Sequence, residues 1–195
     1  DYGKTWTKSS DGLTVDQTHK VVFALSDPTI AFVTTHDGVF RTTDAGETWK
    51  RRSNGLNYAF TTPIAIDPTD ADIVYVGTAA EVYTTHPNHF NGGLHSGFGL
   101  FKSTDGGESW QRSDRGINEP KIAQMATDPN RPFALWANGE SGQGAFFSVN
   151  AGATWRFSPS MASHYPMVIS YSRTYPSTMY MTSWQNDGEI MQSTN

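Results

Sequence analysis

A chain of 195 residues is long enough for one substantial domain. Only 17% of its residues are charged, while aromatics make up 13% and glycines number 18, which excludes a disordered chain and argues against long helices. A net charge of −5 leaves no electrostatic footprint for nucleic acid, the absence of cysteine excludes disulfides and thiolate metal sites, and no apolar run is long enough to insert in a membrane.

Taken in chain order, the sequence predicts short strands separated by turn-forming residues. The first are Val21 to Ala24, Ile30 to Val33 and Val39 to Arg41, followed by Ile64 to Ile66 and Ile73 to Val76. Gly99 to Lys102 and Trp110 to Arg112 come next, then Ile122 to Met125, Phe133 to Trp136, Ala145 to Phe147 and Trp155 to Phe157. Met167 to Ile169, Met179 to Met181 and Glu189 to Met191 complete the series. These runs are β-branched and aromatic, and Gly, Asp, Asn and Pro punctuate them. No segment reads as a helix.

A repeat organises these strands. The pattern Ser/Thr-x-Asp/Asn-x-Gly-x-Thr/Ser-Trp is carried by Asp44, Gly46 and Trp49, by Asp105, Gly107 and Trp110, and by Asn150, Gly152 and Trp155. A partial copy opens the chain at Asp1 with Trp6, and another begins at Ser193. The Asp or Asn positions recur after 43, 61, 45 and 45 residues. Asp-Pro steps run in phase with them, at Asp27, Asp67 and Asp128, and the last unit has Tyr175-Pro176 instead. Approximate units are therefore 1–43, 44–104, 105–149 and 150–195, each with four short strands, which is the arithmetic of a β-propeller blade. The expected fold is all-β, a propeller of four-stranded antiparallel blades. Both chain ends fall inside a box at the same phase. Four blades are the rarer closure, so the reading is part of a larger propeller, with neighbouring blades supplied by the same parent chain or by another copy.

Each box position has a physical task. The Asp or Asn oxygen accepts hydrogen bonds from backbone N–H groups of its own turn, the Gly supplies a conformation that a side chain would penalise, and the Trp anchors the small sheet. The expected role is a hairpin clasp that stabilises the fold.

The box, the Asp-Pro turn and the strand Ile73-Val74-Tyr75-Val76-Gly77-Thr78 together resemble the Asp-box, or BNR-repeat, propellers. Such repeats occur in sialidases, xyloglucan-cleaving glycoside hydrolases, sortilin-type receptors and photosystem II assembly factors. The resemblance implies that the box lies between the third and fourth strand of a blade, away from the binding face. It also implies an extracellular or periplasmic location.

Candidate functional residues gather where the repeat is irregular. The 61-residue unit is longer than its neighbours, and its excess holds Tyr83, His86, His89, Phe90 and His95. Long insertions in a regular array are where binding residues collect, and rigid aromatics such as Tyr83 and Phe90 offer contact area for a sugar or a protein. A metal site from the three histidines matches no strong zinc spacing and has no acidic residue among them, so no metal or other cofactor is expected. Trp184 lies outside the boxes in a turn-rich stretch beside Gln185 and Asn186, which suits either sugar stacking or packing between blades; Trp136 ends an apolar strand and reads as core.

Glycoside cleavage needs two carboxyl groups facing across a cleft. Outside the boxes the candidates are Asp70, Asp72, Glu140, Asp187 and Glu189, and nothing in the sequence pairs any two of them. No Arg-Ile-Pro motif supports a sialidase, and the Cys-rich module of the sortilins is missing. The chain is also too short to hold the two propellers between which the xyloglucanases build their cleft. The expectation is a non-catalytic propeller module that presents loops to a glycan or protein partner. The alternative is a fragment of a secreted glycoside hydrolase of the xyloglucanase type, and a third reading is an assembly factor with a charged rim and no groove.

Overall fold

The computed structural model describes residues 3–15, 17–56, 61–78, 99–118, 122–139, 144–162, 164, 166–172, 174–175, 178–183 and 188–194. Within them the chain is all-β, with four antiparallel sheets in succession. The first contains β1 (Thr18–Phe23), β2 (Ala31–Thr35), β3 (Gly38–Thr42) and β4 (Lys50–Arg51). The second contains β5 (Thr61–Ile66), β6 (Val74–Thr78), β7 (Gly99–Ser103) and β8 (Gln111–Arg112). The third contains β9 (Ile122–Asp128), β10 (Arg131–Gly139), β11 (Ala145–Ser148) and β12 (Arg156–Phe157). Three described strands form the fourth: β13 (Pro166–Tyr171), β14 (Met179–Ser183) and β15 (Ile190–Ser193). One departure from an all-strand reading is a single 3-10 turn, Pro159–Met161.

Strands follow one another within each sheet in chain order, as in a meander. The first strands of successive sheets lie side by side, β1 by β5, β5 by β9 and β9 by β13, so the sheets fan outward from a shared inner edge as propeller blades do. The sheet frame is offset from the repeat frame, because each box unit begins at the turn before the fourth strand of one sheet and ends in the third strand of the next.

Side-chain alternation explains why the central strands are apolar throughout. On β6, Val74 and Val76 enter a cluster with Phe32, Val39, Ile64 and Phe101, whereas Tyr75 between them enters another with Leu100, Leu135 and Phe146. A strand sandwiched between two sheets buries both of its faces, so it needs an unbroken apolar run. A third cluster joins the last two sheets through Ala145, Ile169, Met179 and Met181, with Trp136 partly buried against it. On the free side of the first sheet, Leu13 and Val15 cover Ala31, Val33, Phe40 and Trp49.

The Asp-Pro steps close the first hairpins. Asp27 Oδ1 accepts from the N–H and hydroxyl of Thr29 at 2.9 and 2.7 Å. Asp67 does the same for Thr69 at 2.8 and 2.7 Å. Asp128, fully buried, accepts from Asn130 N–H at 2.9 Å and from Arg131 Nε at 2.8 Å.

Candidate functional site

An antiparallel four-stranded sheet has two ends. The first-to-second and third-to-fourth connections leave one end, and the second-to-third connection leaves the other. Asp boxes occupy the first of these, between β3 and β4, β7 and β8, and β11 and β12.

The box geometry repeats closely. In the first described copy, Thr42 Oγ1 donates to Asp44 Oδ1 at 2.5 Å and accepts the Gly46 N–H at 3.0 Å. Thr48 donates its N–H to Asp44 Oδ1 at 2.9 Å and its hydroxyl to Oδ2 at 2.6 Å. The Thr42 and Thr48 hydroxyls and the Thr48 N–H hold the Asp44 carboxyl at about 2, below its ordinary 3.8. Asp105 accepts the hydroxyl of Ser109 at 2.5 Å, its N–H at 2.9 Å and the hydroxyl of Ser103 at 2.7 Å, so its carboxyl is also lowered. The third copy keeps the shape with an amide: Thr154 N–H donates to Asn150 Oδ1 at 2.9 Å, and Asn150 Nδ2 donates to the Thr154 hydroxyl at 2.8 Å.

The box Trp does more than anchor its own hairpin. Trp110 lies in the cluster between the first and second sheets, and Trp155 in that between the second and third. Each indole N–H reaches back to the strand exit of the preceding unit: Trp49 to Ser9 O at 3.2 Å, Trp110 to Arg52 O at 2.9 Å and Trp155 to Ser113 O at 2.7 Å. Their backbone N–H groups donate to Asp11, Asn54 and Arg115 carbonyls at 2.8, 3.0 and 2.8 Å. The following residues, Gly12, Gly55 and Gly116, have φ of 82, 91 and 98°, and a Cβ there would lie within 2.5 Å of the Trp carbonyl oxygen. This recurrent Gly-Leu or Gly-Ile step is a second signature that reading the boxes alone misses. The segment before β1 thus stands to the first sheet as the exit of β4 stands to the second. Trp6, from the partial first copy, is exposed. Asp1 lies outside the described residues.

The opposite end bears the second-to-third connections. Between β2 and β3, Thr35 Oγ1 donates to Gly38 O at 2.9 Å, and Arg51 donates through Nε and Nη2 to Asp37 O at 3.0 and 2.7 Å. His36 stacks on His19 with ring centroids 4.7 Å apart, and partial burial, with His36 as a second contribution, lowers the His19 imidazole below its ordinary range. Across the inner strands, Lys20 Nζ donates to Gln124 Oε1 at 3.5 Å, and burial lowers its ammonium. The β6–β7 connection leaves at Thr78 and returns at Gly99, both buried at this end. Tyr83, His86, His89, Phe90, His95 and Trp184 lie outside the described residues, as do Glu140 and Asp187.

Of the other carboxylates, Asp70 and Asp72 sit at the box end. Asp70 Oδ1 accepts the Asp72 N–H at 2.9 Å, and Asp72 pairs with Arg41 at 3.1 Å. Glu189 stands 3.6 Å from His164 Nε2, in the fourth sheet's surroundings. Glu189 belongs to a separate contact from Asp70 and Asp72.

On the outer side of the box end, a half-open cleft of about 250 Å³ separates the second sheet from the third box. Lys102, Thr104, Ser109, Gln111, Arg115 and Asn150 are among its lining residues. Lys102 Nζ donates to Ala151 O at 3.0 Å and lies 5.4 Å from the centre of the Tyr75 ring. Burial lowers its ammonium, with Asp67 opposing.

The BNR/Asp-box repeat model matches residues 101–112, from within β7 through the second box and β8. No curated protein matches the chain in sequence. Among solved structures, the GH74 xyloglucanase from Xanthomonas campestris is similar over 98% of this chain and 31% of its own, at 16% identity and a TM-score of 0.71. An ancestral GH74 enzyme is similar over 93% and 23%, at 21% identity and 0.68. YCF48 bound to D1 peptide is similar over 94% and 66%, at 13% identity and 0.53. This chain therefore spans less than a third of either GH74 enzyme. At these identities the likeness is one of fold, and the fold is that of the Asp-box propellers.

Proposed function

We propose that this chain is a non-catalytic propeller segment that binds a glycan or protein partner through the end of its sheets opposite the boxes. One observation carries the reading: the box end is tied into the sheet-to-sheet framework by the Trp indole bonds and by Arg41, which donates to Gly106 O, while the other end carries the 20-residue connection 79–98. A rigid array of sheets with its long connection on one end has the layout of a recognition surface. Tyr83, Phe90 and Trp184 are the proposed aromatic contacts, with His86, His89 and His95 as polar neighbours.

A second reading has its own support. The GH74 structures superpose better than YCF48, with TM-scores of 0.68 and 0.71 against 0.53, which favours a segment of a secreted xyloglucan-cleaving enzyme. Affinity electrophoresis in soluble xyloglucan, run beside a reducing-end assay, separates the two. Retardation of the intact chain that disappears in Trp184→Ala or Phe90→Ala, without release of reducing ends, is the expected result. Release of reducing ends establishes the enzyme reading instead. Retention unchanged in both variants overturns the assignment of the loop end. Absence of retention overturns a xyloglucan-binding role.

A further inference from the structure

Two equivalent junctions between successive boxes differ in charge, and the second opens into the 250 Å³ cleft. In the first, Arg41 pairs with Asp72 at 3.1 Å, Arg52 pairs with Glu108 at 2.8 Å, and the box contributes the Asp105 carboxylate. The register carries these positions onto the next junction without ambiguity, because the bond from Gly106 N–H to Asp72 O at 3.0 Å recurs from Ala151 N–H to Phe133 O at 2.9 Å. Asp72, Asp105 and Glu108 are thereby replaced by Phe133, Asn150 and Ala153. All three carboxylates are lost together.

Of the two cations, Arg52 gives way to Ser113. Lys102 takes the place of Arg41, and Arg115 joins it from the position of Asn54. Both line the 250 Å³ cleft; the Asp67 carboxylate acts on Lys102, whereas Arg115 has no ion pair among the described residues. Arg112 also lines it, held by Asp114 at 2.7 Å. Around the two cations stand neutral hydrogen-bonding groups: Thr104, Ser109, Gln111 and Asn150. Phe133, next to Ala151 through that backbone bond, is half exposed.

We propose that this cleft is a binding site for an acidic sugar unit, a uronate, whose carboxylate lies between Lys102 and Arg115. Hydroxyls and amides at the wall match the ring hydroxyls of a sugar, and Arg115, with Lys102 beside it in the lining, matches its charge. The exposed Phe133 ring offers an apolar face for the neighbouring sugar in a chain. The site is independent of the loop-end reading, since it lies at the other end of the sheets.

Titration of the intact chain with galacturonate trimer, followed by NMR, tests the proposal. Saturable binding is expected, weakening as sodium chloride is added. Arg115→Ala is expected to weaken it about 10-fold, and so is Ala153→Glu, which restores the carboxylate of the first junction. Both positions are exposed, so thermal midpoints check that the variants remain folded. A neutral xylotriose is expected not to bind. The proposal is overturned by absence of binding, by an affinity in both variants unchanged from the parent chain, or by equal binding of xylotriose. Equal affinity for inorganic sulfate would overturn the sugar assignment and leave a plain anion site.

Discussion

A single carboxylate organises each complete Asp turn. Asp44 gathers two hydroxyls and one backbone N–H of its own loop, and Asp105 does the same. The charged oxygen is the better acceptor, so folding holds the carboxyl ionised at lower pH than the open chain does. The contribution is present above the unfolded value near 4 and disappears as pH falls towards about 2, the folded value for Asp44. In acid-unfolding curves followed by tryptophan fluorescence, Asp44→Asn is expected to lose less stability between pH 4 and pH 2 than the parent chain. Asn150 shows why such a variant folds: its amide keeps the same Oδ1 bond and reverses the other. The spacing of the box made these contacts readable in the sequence. The exchange of Asp105 and Glu108 for Asn150 and Ala153 is equally visible there, but its meaning is not, because only packing sets Arg41 and Lys102 against those positions.

Among the elements, the box Trp is the joint between successive sheets. Trp110 is 4% exposed, packs with Ile66 and Val74, and donates its indole N–H to Arg52 O. Trp110→Phe keeps most of the packing but leaves that carbonyl without its indole donor, an expected cost of about 1 kcal/mol in urea unfolding. Trp110→Ala removes the packing as well, with an expected cost of about 3–5 kcal/mol. A similar loss in both variants would mean that the hydrogen bond, rather than the ring, ties the sheets. The strands themselves were legible from their β-branched and aromatic runs. The direction in which each Trp leans was not, since a one-dimensional pattern does not say which sheet a hairpin tip reaches.

For the molecule as a whole, the sheet faces at the two ends of the array differ from those within it. On the fourth sheet, Met179 and Met181 point into the third cluster, while Val168, Tyr180 and Ile190 are exposed on the other side. On the first sheet, Val21 and Phe23 are exposed. In thermal unfolding, Ile190→Thr is expected to change stability by no more than about 0.5 kcal/mol, whereas Met181→Thr is expected to cost about 2–4 kcal/mol. Equal effects would mean that the fourth sheet is covered on both faces in solution. Among the described residues no helix is long and apolar enough to cross a membrane.

The sequence by itself determined the repeat, the strands and the turn chemistry, because each depends on residues near one another along the chain. A β-branched and aromatic run, an Asp two positions before a Gly and an in-phase Asp-Pro step are local facts. The tertiary structure decided which contacts join one unit to the next: the indole reaching back to Arg52 or Ser113, the glycine beneath the Trp carbonyl, and a cleft lined by Lys102 and Arg115 where the preceding junction has ion pairs. Those contacts join residues about 40 to 65 positions apart, as from Arg41 to Gly106, and only the angle between neighbouring sheets brings them together.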